Sequence, residues 1–164
     1  MNDELSAQAA DEEPDQHLLN FQIGGAYRAL VVGFERFVGI TVARFRVLHA
    51  FGNTREVSQA WLQQRLGLDA ASITRQVKAM EAEGLAVRRA DPADNRFTLV
   101  ALTEKGRSTA NTVLPMAEVF GARLQAGCDP QELAIASRLL ELVRQRALDL
   151  AAAPPIAPEA TAKP

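Results

Sequence analysis

The chain has 164 residues, of which 48% are hydrophobic and 23% charged, with a formal net charge of −2; that is ordinary for a soluble globular protein of single-domain size. No apolar run approaches the roughly 20 residues of a membrane span, and six acids without a Lys or Arg in the first twenty residues are the reverse of a secretory or transit signal. A lone cysteine, Cys128, excludes an internal disulfide, and no Cys/His cluster has zinc spacing, so a reduced, cytoplasmic protein without metal or cofactor is expected.

Residues 1–15 lack apolar periodicity and read as a disordered acidic arm. Its acids are Asp3, Glu4, Asp11, Glu12, Glu13 and Asp15; the remainder carries 18 basic against 14 acidic side chains. That weak basic excess permits a nucleic-acid partner without specifying one. From Gln16 to Val38, Leu19, Ile23, Ala26, Leu30, Phe34 and Phe37 recur at helical spacing and predict a long amphipathic helix. Gly24, Gly25 and Gly33 inside it mark a bend or a close helix contact. Thr41 caps a second helix stopped by Gly52, and a third is expected from Arg55 to Leu66, with Trp61 in the core. Asp69 caps a fourth helix that reaches Glu83 and is closed by Gly84.

Beyond Gly84 the period changes. Leu85–Ala90 and Phe97–Leu102 are β-prone, joined by the turn-rich segment Asp91-Pro92-Ala93-Asp94-Asn95-Arg96, which predicts a hairpin with a polar tip. Thr103 opens a fifth helix, bent at Pro115 and continuing to about Gly127. Asp129-Pro130-Gln131-Glu132 then starts a sixth. The working unit is one domain over 16–150 with a core at about 54–107, and 151–164 reads as a flexible Pro/Ala tail.

Helix, short break, helix and hairpin follow one another in the order of a winged helix-turn-helix, with Gly67-Leu68-Asp69 as the break. If Ile73, Val77 and Met80 face inward, Ala71, Arg75 and Lys78 face outward, flanked by Ser72 and Thr74. Small and polar residues on the N-terminal half of a helix allow it to enter a major groove about 12 Å wide. Arg88 and Arg89 stand at the base of the hairpin, and Arg96 near its tip suits a narrow minor groove. Asp94 would repel phosphate, so its expected role is to orient a nearby Arg.

Leu66 to Gly106 resembles the winged-helix core of the MarR (multiple antibiotic resistance) family of bacterial regulators. Most specific are Asp94-Asn95-Arg96, similar to the family's D-x-R wing motif, and the following Leu102-Thr103-Glu104-Lys105-Gly106. Gln63 departs from the pattern, which has a small residue there. The resemblance implies a mainly α fold with a small β-hairpin wing, and long N- and C-terminal helices that build a homodimer. It further implies repression at a palindromic double-stranded DNA operator, with release by a small aromatic acid bound between the first, second and fifth helices. On that map Tyr27, Arg28, Arg46 and His49 offer an aromatic wall, guanidinium partners for a carboxylate, and a titratable donor.

Two alternatives are carried forward. A winged helix can serve purely as a protein-interaction module, but such a module has no need of both Arg75 and Arg96. Oxidant sensing through Cys128 is disfavoured by the neighbouring Asp129, which would raise the thiol pKa. No phosphate loop, H-E-x-x-H or nucleophile motif suggests an enzyme.

Overall fold

The computed structural model describes residues 16–154, in the order α1 (Gln16–Val38), α2 (Val42–Phe51), β1 (Glu56–Ser58), α3 (Gln59–Leu66), α4 (Ala70–Ala82), β2 (Ala86–Ala90), β3 (Thr98–Leu102), α5 (Glu104–Leu124) and α6 (Pro130–Ala152). The expected acidic arm, and the tail from residue 155 onward, lie outside the described residues. Two compact units are described, one ending at Gly121 and one beginning at Ala122.

In the first unit, the core is built from one face of each element. Phe34 and Val38 of α1, Val47, Leu48 and Phe51 of α2, and Ile73, Val77 and Met80 of α4 are buried together with Val100 and Leu102 of β3. Phe34 meets Phe45 edge-on at 4.9 Å and Phe120 at 5.5 Å, a ring geometry favoured by the aromatic quadrupole. Gly33 lies beside Phe120: a Cβ there would sit 3.6 Å from the ring, an ordinary van der Waals contact, so the packing does not demand glycine. Helix α5 runs unbroken through Pro115. In the second unit, α6 starts at the Asp129 cap, whose carboxylate accepts from Gln131 N at 2.6 Å and Glu132 N at 3.3 Å.

The expected third helix is too long at its N-terminal end. Glu56–Ser58 is instead a strand, pairing antiparallel with β3 (Val57 opposite Val100), so the sheet has three strands in the order β1-β3-β2. Ser58 then caps the shortened α3 by accepting from Trp61 N at 3.1 Å. Val57 and Trp61 have helical spacing, but Val57 is held by its sheet partner. Trp61 is 37% exposed, while Leu62 takes the fully buried position.

The joint between α3 and α4 depends on Gly67, whose φ of 63° is a left-handed conformation that costs glycine nothing. The carbonyl of Gln63 accepts from both Gly67 N and Leu68 N, so the larger residue at 63 still supports a closed turn. At the far end of α4, the next segment satisfies the free carbonyls. Thr103 Oγ1 donates to Gly84 O at 2.7 Å and Lys105 Nζ to Glu83 O at 2.8 Å. Thr103 N donates to Leu85 O at 3.0 Å, and Gly106 N to Thr103 Oγ1 at 3.0 Å. The start of α5 is thereby fixed to the point where α4 turns into the wing.

Candidate nucleic-acid interface

Asp69 initiates both α4 and a chain of polar contacts along its exposed half. Its carboxylate accepts from Ser72 N at 2.8 Å and from Ser72 Oγ at 2.7 Å, and Ser72 Oγ in turn accepts from Arg75 Nη2 at 3.0 Å. These hydrogen bonds from Ser72 hold the Asp69 carboxyl below the usual aspartate range, because they favour the charged form. Ala71, Arg75 and Lys78 are exposed, Ser72 and Thr74 half-buried, and Ile73, Val77 and Met80 buried on the opposite face. The open half of α4 thus presents small side chains first and cations one and two turns later, a surface able to approach a base-pair edge. The link from Asp69 through Ser72 to Arg75 was readable only as a cap; its extension to Arg75 follows from the i, i+3 spacing of all three residues.

In the loop joining β2 to β3, Asp91 N donates to Phe97 O at 3.0 Å and Phe97 N to Asp94 O at 2.9 Å. Arg96 Nε and Nη2 grip the two oxygens of Asp94 at 2.9 and 2.6 Å, and Arg96 N also donates to Asp94 Oδ1 at 3.0 Å. The pair pushes the Asp94 carboxyl below, and the Arg96 guanidinium above, its ordinary pKa, chiefly through the hydrogen bond between them. The Arg96 side chain remains 85% exposed. Asp94 fixes one edge of the guanidinium and leaves the rest at the protruding end of the wing.

Arg88 and Arg89 are committed differently. Arg88 donates twice to Glu81 Oε2, at 2.9 and 2.6 Å, and Arg89 forms a fork with both oxygens of Glu56. Glu56 raises the Arg89 pKa through that bond. These arginines tie β2 to α4 and to β1, so their charges are largely matched within the chain.

The residues expected to take an effector lie on α1 and α2. Tyr27 and Arg28 are exposed on α1, while Arg46 donates to Leu66 O at 2.5 Å, bracing α2 against the end of α3. His49 alone of the four lines a cleft of about 480 Å³, with Phe34, Phe45, Leu114, Ala117 and Glu118, and its ring stacks on Phe45 at 5.7 Å. Cys128 is exposed. Among the described residues no helix is long and apolar enough to cross a membrane, and no group of three His, Cys, Asp or Glu could hold a metal ion.

A family model described as the MarR family matches residues 38–96. The HTH-type transcriptional regulator YdgJ of Bacillus subtilis (strain 168), itself uncharacterized, is 34% identical over 112 residues, which cover 68% of this chain and 68% of that protein. Among solved structures, the Bordetella bronchiseptica regulator BpsR, described for regulation of its DNA binding by 6-hydroxynicotinic acid, superposes with a TM-score of 0.67 at 26% identity. That match covers 77% of this chain and 98% of BpsR. A MarR mutant from E. coli, solved in complex with operator DNA, shares the fold at a TM-score of 0.70 and 21% identity, covering 80% of this chain and 99% of that one.

Proposed function

The chain belongs to the MarR family of transcriptional regulators, and from that premise we propose that it is a cytoplasmic homodimeric repressor of a pseudo-palindromic operator, released by a small aromatic carboxylate. The observation that carries this reading is the pairing of two exposed Arg-bearing elements on one unit: the face of α4 with Arg75, and the wing tip where Asp94 holds Arg96. Together they match the combined demands of major-groove reading and minor-groove insertion. Ala71, Ser72, Thr74 and Lys78 complete the groove-facing set, and Arg88 and Arg89 act mainly through the positions they stabilise. A protein-only interaction module would not require this arrangement. The family consists of transcription factors rather than enzymes.

The dimer is supported by apolar side chains that the single chain leaves uncovered. Phe21, Leu30 and Val32 on α1 and Ile135, Leu139 and Leu142 on α6 are all exposed, and patches of this kind mark interaction surfaces. A two-fold dimer sets its two α4 helices about one DNA turn, ~34 Å, apart. An aromatic acid is supported by the 6-hydroxynicotinic acid response described for BpsR.

The test joins light scattering with nuclease footprinting of DNA bound by the full chain. Two chains per protected site, and protection symmetric about a centre, are expected. A monomer bound tightly to one unsymmetrical half-site would overturn the proposal. A thermal-shift screen of benzoates, hydroxybenzoates and pyridine carboxylates addresses the effector, since a ligand of the folded state raises the melting temperature.

A further inference from the structure

A second and larger cleft lies away from His49, between the loop that follows α2, the β1–β3 edge of the sheet, and the first half of α5. It is an open cleft of about 790 Å³, within the range of small-molecule sites. Its apolar side is formed by Leu102, which is buried, and half-buried Leu114. Its polar side carries Arg55 and Arg107 with the amides of Asn53 and Asn111. Among the described residues, none of these four side chains has a hydrogen-bond or ion-pair partner. The one acid in the lining, Glu56, has both oxygens engaged by Arg89, so it offers the cleft little negative charge.

We propose that this cleft is a binding site for a small organic carboxylate, with Arg55 and Arg107 taking the carboxylate, Asn53 and Asn111 taking a ring substituent, and Leu102 and Leu114 covering the ring. Guanidinium groups recognise carboxylates by charge-assisted, often bidentate hydrogen bonds. The apolar side distinguishes the site from a DNA-phosphate contact, which has no use for buried leucine. The cleft around His49 makes the contrast: its lining contains Glu118 and no Lys or Arg, so it repels the group that the larger cleft attracts. The site also lies where a ligand could affect the wing. β3 runs directly from the wing loop into the cleft at Ala101 and Leu102, and α5 forms the facing wall. That regulatory consequence rests on the ligand-responsive repressor reading; the binding site itself does not.

Calorimetric titration of the full-length protein with benzoate, 4-hydroxybenzoate and 6-hydroxynicotinate tests the site, with 4-hydroxybenzamide as the uncharged control. At least one acid should bind the parent. Arg55→Gln and Arg107→Gln should each weaken it roughly tenfold or more, the scale of a hydrogen bond to a charged group, while His49→Ala leaves it unchanged. The amide should bind the parent no better than it binds the double variant. Unchanged melting temperatures of the variants would exclude loss of fold. Failure of all three acids to bind, or full affinity in the double variant, overturns the site. Loss of DNA affinity in the double variant with carboxylate binding retained overturns it too, by assigning both arginines to phosphate. Binding lost as described, with operator affinity insensitive to the acid, supports the site and defeats the release reading alone.

Discussion

Gly106 offers the sharpest perturbation of the scaffold that carries the wing. A Cβ at this position would stand 2.0 Å from Leu85 O and 3.0 Å from its carbonyl carbon, with Leu102 Cβ at 3.4 Å. The obstacle is backbone, so no rotamer change relieves it, and the first turn of α5 must retreat by about 1 Å or more. That retreat pulls Thr103 N from Leu85 O and Thr103 Oγ1 from Gly84 O, now 3.0 and 2.7 Å apart. Overpacking costs about 1–3 kcal/mol, and two weakened hydrogen bonds add about 1 kcal/mol each. Ala recovers about 1 kcal/mol of helix propensity, leaving a net loss of about 2–4 kcal/mol for Gly106→Ala. Gly121→Ala, in the same helix with nothing within 4 Å of the added Cβ, should be neutral or stabilising by up to about 1 kcal/mol. Urea unfolding of both variants at one fixed protein concentration measures the contrast. If Gly106→Ala unfolds at the parent's midpoint, the close packing of α5 on the start of the wing is not a constraint and the reasoning fails.

Four further outcomes concern the DNA-facing residues. Arg75→Ala should cost about 1–3 kcal/mol of operator affinity and relax preference at one position of each half-site, as read from binding to a panel of single-base variants; equal loss on every sequence would make Arg75 a phosphate contact. Arg96→Ala should weaken binding by a similar amount, most on A·T-rich flanks. Asp94→Ala should also weaken binding although it removes a negative charge, and tighter binding would show that Asp94 merely repels DNA. The Asp94 carboxyl titrates below the ordinary value of 3.8, through its hydrogen bonds from Arg96. Its contribution to wing order is therefore fully present above the unfolded pKa and lost as pH falls through the lower folded value; carboxyl NMR shifts should place its midpoint below 3.8 and return it toward that value in Arg96→Ala.

Much of the fold was legible because helix ends announce themselves locally. Thr41, Asp69 and Asp129 each supply a side-chain oxygen to a following backbone N–H, and the residue types that do so are few. Strand β1 was not legible. Three residues with one buried valine carry no usable period, and their partner, centred on Val100, is more than forty positions away. Charges of the interface could be read one by one, and so could the short-range pairing of Asp94 with Arg96, but not the contacts that join distant elements. Arg89 finds Glu56, and Arg46 finds the Leu66 carbonyl, only after the chain has folded. The effector region was least legible for the same reason: Tyr27, Arg28, Arg46 and His49 were chosen by residue type on α1 and α2, whereas one cleft brings Phe34, Phe45 and His49 against α5 and the other joins α5 to the loop after α2 and the sheet edge, groupings that a pattern along one helix does not reveal.

The most direct measurement of the central claim is in vitro selection of randomised duplex DNA by the full-length protein, with the stoichiometry of the selected complex determined on the same sequences. Recognition by paired α4 helices and wings predicts an enriched inverted repeat with half-site centres about one helical turn apart, bound by two chains, with enrichment lost in Arg75→Ala. Enrichment of no sequence, or of a single unsymmetrical element bound by one chain, would contradict it.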